Sequence, residues 1–123
     1  MKRNNRGYAR IERVGQQIHE VLAVLVLTEV SDPRVRDIQI TGVDVAPDLR
    51  TAKVYFVMLE SDNTDAIEGA AEGLERASGY LRKMLSERVT LKYLPALTFV
   101  YDQSIEEGRK IEKLLAEVRR EEE

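Results

Sequence analysis

The residues of this chain that are best suited to bind a ligand are basic side chains around a glycine. They lie inside its longest helical pattern. Arginine and lysine neutralise phosphates, and a glycine lets a ligand approach the backbone closely. The candidate residues are Arg76, Ser78, Gly79, Arg82 and Lys83. We interpret this stretch as a candidate site for a polyanion.

The same glycine predicts a kink in the helix. Glycine weakens a helix interior by about 1 kcal/mol relative to alanine, yet the apolar period continues on both sides of it. Charge also changes sign here, from acidic before residue 76 to basic after it. We therefore predict two helical halves that bend at Ala77, Ser78 and Gly79.

A plainer interpretation of the charge reversal stays open. Acidic residues near the start of a helix and basic residues near its end stabilise the helix dipole. On that interpretation the basic residues after Gly79 need no ligand.

A second basic patch lies at the N-terminus. Residues 1–13 carry five basic side chains against the single acid Glu12, and from these we assign Arg3, Arg6 and Arg10 to the candidate site. The net charge of the whole chain is −3, which argues against a protein that coats nucleic acid indiscriminately. Any polyanion must therefore bind to a local patch.

The sequence offers no set of residues for catalysis. It has no cysteine and one histidine, His19, which falls in a helical run without a recognisable partner. Asp44 and Asp48 are close in sequence, but no apposed acid, base and nucleophile accompany them. We predict no enzymatic activity, no metal site and no cofactor.

Hydrophobic periodicity predicts six elements. The first three are a helix from about Tyr8 to Val30, a strand over Ile38–Val45 with a bulge at Gly42, and a strand over Thr51–Leu59. The fourth is the kinked helix, which is capped by Asn63 or Thr64 and ends near Glu87 or Arg88. A strand from Pro95 to about Asp102 and a helix that begins with a capping box at Ser104 complete the chain. Phe56 and Phe99 fall on apolar strand faces, so we assign them to the core.

These elements predict an α+β fold in which helices cover one face of a three-stranded sheet, in the order α-β-β-α(kinked)-β-α. The first two strands form a hairpin, and the helix between the second and third allows a parallel pairing. Arg34 and Arg36 lie on an exposed connection, where they can pair with the acidic side chains of Asp32 and Asp37.

The element order resembles the type II K-homology fold of nucleic-acid-binding proteins, although Ala77-Ser78-Gly79 stands where that fold usually has Gly-x-x-Gly. In having an Ala-x-Gly kink at this place, the chain resembles the ribosome-binding factor A family. The resemblance covers residues 6 to 118, and its matching motifs are Asp32-Pro33-Arg34, Ile40-Thr41-Gly42-Val43, Asp48-Leu49, Ala52-Lys53-Val54-Tyr55, Leu81-Arg82 and Pro95-Ala96-Leu97-Thr98-Phe99-Val100-Tyr101-Asp102.

The resemblance implies a basic, flexible N-terminus over residues 1–7, a KH-like domain over 8–103, and a C-terminal helix with a frayed acidic end over 104–123. It also implies a non-enzymatic factor that binds the small (30S) ribosomal subunit through its rRNA and assists late 16S rRNA maturation, with a part in cold adaptation. Ribosomal proteins and a ribosome-assembly GTPase are implied as further partners. We expect a cytoplasmic monomer that makes no use of a membrane.

A different class of function also stays open, namely a small α+β regulatory or protein-interaction domain that does not bind RNA. Salt-dependent co-sedimentation with small ribosomal subunits distinguishes the two classes, because only the RNA-binding class requires it.

Overall fold

The computed structural model describes residues 2–59 and 63–122, without the side chains of residues 2–6 and 106. Its elements are α1 (Lys2–Glu29), a 3-10 turn (Pro33–Val35), β1 (Ile38–Val45), β2 (Thr51–Met58), α2 (Thr64–Arg88), β3 (Ala96–Tyr101) and α3 (Gln103–Glu122). The predicted α+β class and element order are confirmed. Over the described residues, no helix combines the length and the apolar character that crossing a membrane requires.

The sheet has the strand order β1-β2-β3. β1 and β2 form the predicted antiparallel hairpin, and β2 and β3 pair in parallel. Thr51 at the start of β2 pairs with Ala96 at the start of β3, where the Ala96 amide donates to the Arg50 carbonyl at 2.8 Å. The parallel pairing therefore holds the chain just before β2 next to the chain just before β3.

The predicted bulge lies in β1. Ile40 pairs with Phe56 and Gly42 pairs with Tyr55, so Thr41 is the extra residue. The shift changes which positions of β1 face the helices, because side chains alternate along a strand. The Thr41 hydroxyl donates to Asp102 Oδ2 at 2.7 Å, which ties the bulge to the end of β3.

The core lies between one face of the sheet and two helices. α1 packs on β1, α2 packs on β3, and the two helices pack on each other. The apolar stripe predicted for the first helix is confirmed, since Ile18, Leu22 and Leu25 are fully buried. Phe56 and Phe99 are also buried, as predicted for core residues.

Two predicted helix starts are wrong. α1 begins at Lys2 and not near Tyr8, although it ends close to the predicted place. α3 begins at Gln103, so Ser104 lies inside the helix and not at its N-cap. The amide and the hydroxyl of Ser104 donate to Asp102 Oδ1, and this carboxylate serves the helix start in place of the predicted capping box. The division of the chain into three segments stays a prediction.

α2 is a single α-helix, and Asn63 is the one of the two predicted caps that is confirmed, because its side chain accepts the Asp65 amide at 2.8 Å. The helix is not interrupted at Ala77, Ser78 and Gly79. A bend of its axis at these residues stays a prediction.

Two glycines of α2 have opposite surroundings. A Cβ atom at Gly79 would meet nothing within 4 Å, so close packing of the helix on the sheet does not explain this glycine. A Cβ atom at Gly73 would lie 2.7 Å from Val35 Cγ2 and 3.0 Å from Asp32 Oδ2. Gly73 is therefore the residue that lets the 3-10 turn contact α2.

The C-terminal helix leaves its apolar stripe uncovered by the described part of the chain. Four residues of that stripe are at least half exposed, namely Ile111, Leu114, Leu115 and Val118.

We predict that Gly73→Ala destabilises the protein and that Gly79→Ala stabilises it. The new methyl group at residue 73 would overlap Val35, which costs roughly 1 to 3 kcal/mol. At residue 79 the methyl group enters open space, and the better helix propensity of alanine contributes about 0.5 to 1 kcal/mol. Urea unfolding of both variants measures the difference, and equal effects at the two positions would contradict the packing described above.

Candidate nucleic-acid interface

The structure does not bring all predicted site residues together. The Tyr80 hydroxyl donates to Glu29 Oε2 at 3.2 Å, so Gly79 lies near the C-terminal end of α1. Arg10 lies in the N-terminal half of the same helix. At 1.5 Å per residue, residues 10 and 29 are about 28 Å apart along the axis. Arg10 therefore lies far from the end of α1 that is near Gly79, and the predicted residues do not form one compact site.

At the C-terminal end of α1, Arg76 belongs to a chain of ion pairs that we call the Asp32 network. Arg34 lies 2.7 Å from the Asp32 carboxylate and 3.4 Å from Glu72, and Arg76 lies 3.5 Å from Glu72. The predicted pairing of Arg34 with Asp32 is thus confirmed. Hydrogen bonds from the side chain and amide of Arg34 lower the pKa of Asp32 to about 2. Arg76 is exposed and remains accessible to a ligand.

Arg82 has a structural role that its sequence position did not indicate. Its Nε donates to the Pro95 carbonyl and its Nη2 to the Leu94 carbonyl, each at 3.0 Å. The side chain is half-buried, and it fixes the loop between α2 and β3. Its contact with RNA stays a prediction.

Lys83 is exposed and Ser78 is half-buried on the same helix. The helix-dipole interpretation applies to the ends of α2, where Asp65 lies in the first turn and Arg88 in the last. Because the dipole acts mainly within a terminal turn, it does not account for Lys83 in the helix interior.

At the N-terminal end of α1 the structure brings together residues from three segments. Arg10 and Arg13 of α1 and Lys92 and Tyr93 of the α2–β3 loop line a cavity of about 180 Å³. The Arg50 guanidinium lies 5.1 Å from the centre of the Tyr93 ring, and Lys92 Nζ lies 5.5 Å from it. We call Arg10, Arg13, Arg50, Lys92 and Tyr93 the Tyr93 cluster. The side chains of Arg3 and Arg6 lie outside the described residues.

Four members of the Tyr93 cluster are absent from the predicted site. Arg13 belongs to the N-terminal basic patch and Lys92 follows the basic residues of the long helix, but nothing in the sequence shows that these two stretches meet. The parallel pairing of β2 and β3 places Arg50 next to Pro95, and that pairing is a tertiary feature. Arg10 and Arg13 are three residues apart and therefore lie on the same face of a helix, which is the sequence feature that indicates they belong to one site.

The other polar candidates have structural partners. His19 is half-buried, and its Nε2 donates to the Ile40 carbonyl at 3.0 Å. Asp48 Oδ1 accepts the Arg50 amide at 3.0 Å and so closes the β1–β2 turn. Among the described residues, no cluster of three or more His, Cys, Asp or Glu side chains could hold a metal ion.

Comparison with known proteins identifies the family. The family model described as ribosome-binding factor A matches residues 10–115. The chain belongs to the ribosome-binding factor A family. It is 43% identical over 110 residues to ribosome-binding factor A of Dechloromonas aromatica, covering 89% of this chain and 87% of the relative. It is 44% identical over 114 residues to that of Halothermothrix orenii, covering 93% and 92% of the two chains.

Solved structures of the family share the fold. The crystal structure of ribosome-binding factor A from Thermus thermophilus superposes with a TM-score of 0.65 at 26% identity, covering 74% of this chain and 94% of that one. A homology model of the Thermus thermophilus protein, fitted into a cryo-EM map of a 30S complex of that protein, has a TM-score of 0.59 at 27% identity. It covers 72% of this chain and 91% of that one.

We predict that Arg82→Gln lowers the free energy of unfolding by roughly 1 to 3 kcal/mol, because two carbonyls lose their charged donor. Lys83→Gln, one position along the helix, is the matched control and should change it by less than about 0.5 kcal/mol. Urea unfolding checks both values. Equal stability of the two variants would show that the carbonyl contacts of Arg82 contribute nothing.

We predict that Asp32 contributes stability that is lost in acid. Its pKa is about 2 in the folded state against an ordinary value of 3.8. The contribution is therefore fully present above about pH 4 and disappears as the pH falls through 2. Asp32→Asn should lower the melting temperature at pH 7. It should also reduce the drop in melting temperature that accompanies acidification from about pH 4 to pH 2. Asp44→Asn, outside the network, is the control, and the same flattening there would contradict the assignment.

Proposed function

We propose that this protein is a ribosome assembly factor, which binds the small (30S) ribosomal subunit through its rRNA and assists late 16S rRNA maturation. The observation that carries the proposal is family membership over residues 10–115, together with the 30S complex of the Thermus thermophilus relative. Because the net charge of the chain is −3, binding to rRNA requires a local surface that is positively charged.

The charge distribution supports that requirement. Exposed cations include Arg76 and Lys83 on α2 and members of the Tyr93 cluster near the N-terminal end of α1. Basic residues on two different elements can contact RNA phosphates at more than one place. Such a protein recognises folded RNA by its shape and its backbone, as expected for structured RNA.

Gly79 supports an RNA contact on α2 by a different argument. A glycine inside a helix costs about 1 kcal/mol, and open space around Gly79 gives no packing reason for it. The missing side chain at Gly79 leaves the backbone and Ser78 open to the approach of RNA.

The proposed function includes no chemical step. The sequence has no glycine-rich loop for a nucleotide phosphate, so the protein has no energy source of its own for release from the subunit. We propose that a ribosome-assembly GTPase triggers release, that ribosomal proteins contribute contacts, and that the protein acts as a cytoplasmic monomer, also during growth in the cold.

We predict that Arg76→Glu combined with Lys83→Glu weakens co-sedimentation with purified small subunits. Each substitution removes a candidate phosphate contact, so the slope of log affinity against log salt should become shallower by about 2. Both residues are exposed, so stability should change by less than about 1 kcal/mol.

The matched control for this prediction is Lys110→Glu with Lys113→Glu, which makes the same charge change on exposed positions of α3. The control should bind like the wild type. Failure of the wild type to co-sediment would reject the proposed function. Wild-type binding by the α2 variant would remove Arg76 and Lys83 from the interface.

The alternative, a protein-interaction domain without RNA binding, has one observation in its favour, the uncovered apolar stripe of α3. An interaction made through that stripe would persist at high salt and would not respond to charge reversal on α2.

A further inference from the structure

The Tyr93 cluster has the composition of a site for unpaired nucleotides. Tyr93 is a large aromatic side chain with 41% of its surface exposed, and the four other members of the cluster are cations. Exposed aromatic rings beside cations are typical of surfaces that bind single-stranded nucleic acid, because bases stack on the ring and cations hold the backbone.

The cations of the Tyr93 cluster are available to a ligand. In the part of the chain that the structure describes, none of them takes part in a salt bridge. No acidic side chain lines the cavity among the described residues. Asp48, the nearest acid in sequence to Arg50, accepts the amide of Arg50 and not its guanidinium. The cavity is thus a locally positive site in a chain of negative net charge.

Both loops that supply the cluster are fixed in place. Arg82 holds the carbonyls of Leu94 and Pro95, the two residues after Tyr93. On the other side, Leu49 has a φ of 63°, a left-handed conformation that is rare for its residue type, and it lines the cavity. The turn around Leu49 is closed by its own amide, which donates to the Ala46 carbonyl. A backbone that is held in place in this way is expected beneath a binding surface.

We propose that the Tyr93 cluster binds an unpaired segment of RNA, with a base stacked on Tyr93 and the neighbouring phosphates held by Arg10, Arg13 and Lys92. This inference rests on the proposed function and specifies part of its RNA contact. The base takes the place of the Lys92 ammonium on the ring, and Lys92 then turns to a phosphate. Stacking is tolerant of sequence, so the site selects single strands over duplex and not one base over another.

The test compares Tyr93→Leu with Tyr93→Phe. Binding of fluorescent decauridine and of a blunt RNA duplex is measured by anisotropy, after thermal unfolding has shown that both variants fold. Tyr93→Phe keeps the ring and should bind decauridine like the wild type. Tyr93→Leu should lose about tenfold in affinity for decauridine and keep its affinity for the duplex.

A second pair of substitutions tests the phosphate contacts. Arg13→Gln with Lys92→Gln should make the salt dependence of decauridine binding shallower by about 2. Lys110→Gln with Lys113→Gln on α3 should leave it unchanged.

The possible failures are distinguishable. Wild-type affinity of Tyr93→Leu for decauridine, or equal losses with Tyr93→Leu and Tyr93→Phe, would overturn the proposal. So would a wild-type protein that co-sediments with small subunits but shows no preference for decauridine over duplex, and in that case the proposed function would stand. Only a wild-type protein that fails to co-sediment rejects the proposed function itself.

Discussion

The parallel pairing of β2 with β3 is the constraint on which the rest of this structure depends. A parallel strand must start at the same end of the sheet as its neighbour, so the chain has to return along the sheet after β2, and α2 makes this return. The pairing of Thr51 with Ala96 then places the β1–β2 turn beside the α2–β3 loop. Arg82 fixes that loop through two backbone carbonyls.

This constraint also determines how a chain with negative net charge forms positive surfaces. The N-terminal half of α1 meets the α2–β3 loop, so basic residues that are far apart in sequence line one cavity. The opposite end of α1 meets the middle of α2, where the Asp32 network uses part of the positive charge internally. The number of basic residues in a segment is therefore not by itself a guide to a polyanion site, because some of them are paired with acidic side chains.

Much of the fold followed from local patterns. The helical stripe of α1, the strand alternation with a bulge near Gly42, and the cap at Asn63 each depend on neighbouring residues, and each was predicted correctly. The start of α3 was not, because Asp102 serves two purposes, as an acceptor for the helix start and for Thr41 across the sheet. The site was predicted less well because it, too, depends on contacts between segments that are far apart in sequence. The sequence alone indicates that Arg82 is a surface cation, and only the fold shows its hydrogen bonds to Leu94 and Pro95. Likewise, no sequence pattern connects Arg50 with Tyr93.

The most direct measurement of the central claim, that three separate segments form one RNA-binding surface, is a titration of the isotope-labelled protein with decauridine followed by amide NMR. We expect the amides of residues 10–14, 49–51 and 90–95 to shift along one common binding curve, because all three segments contribute residues to the cavity or to the surroundings of the Tyr93 ring. Shifts confined to residues 76–83, or to only one of the three segments, would contradict the claim.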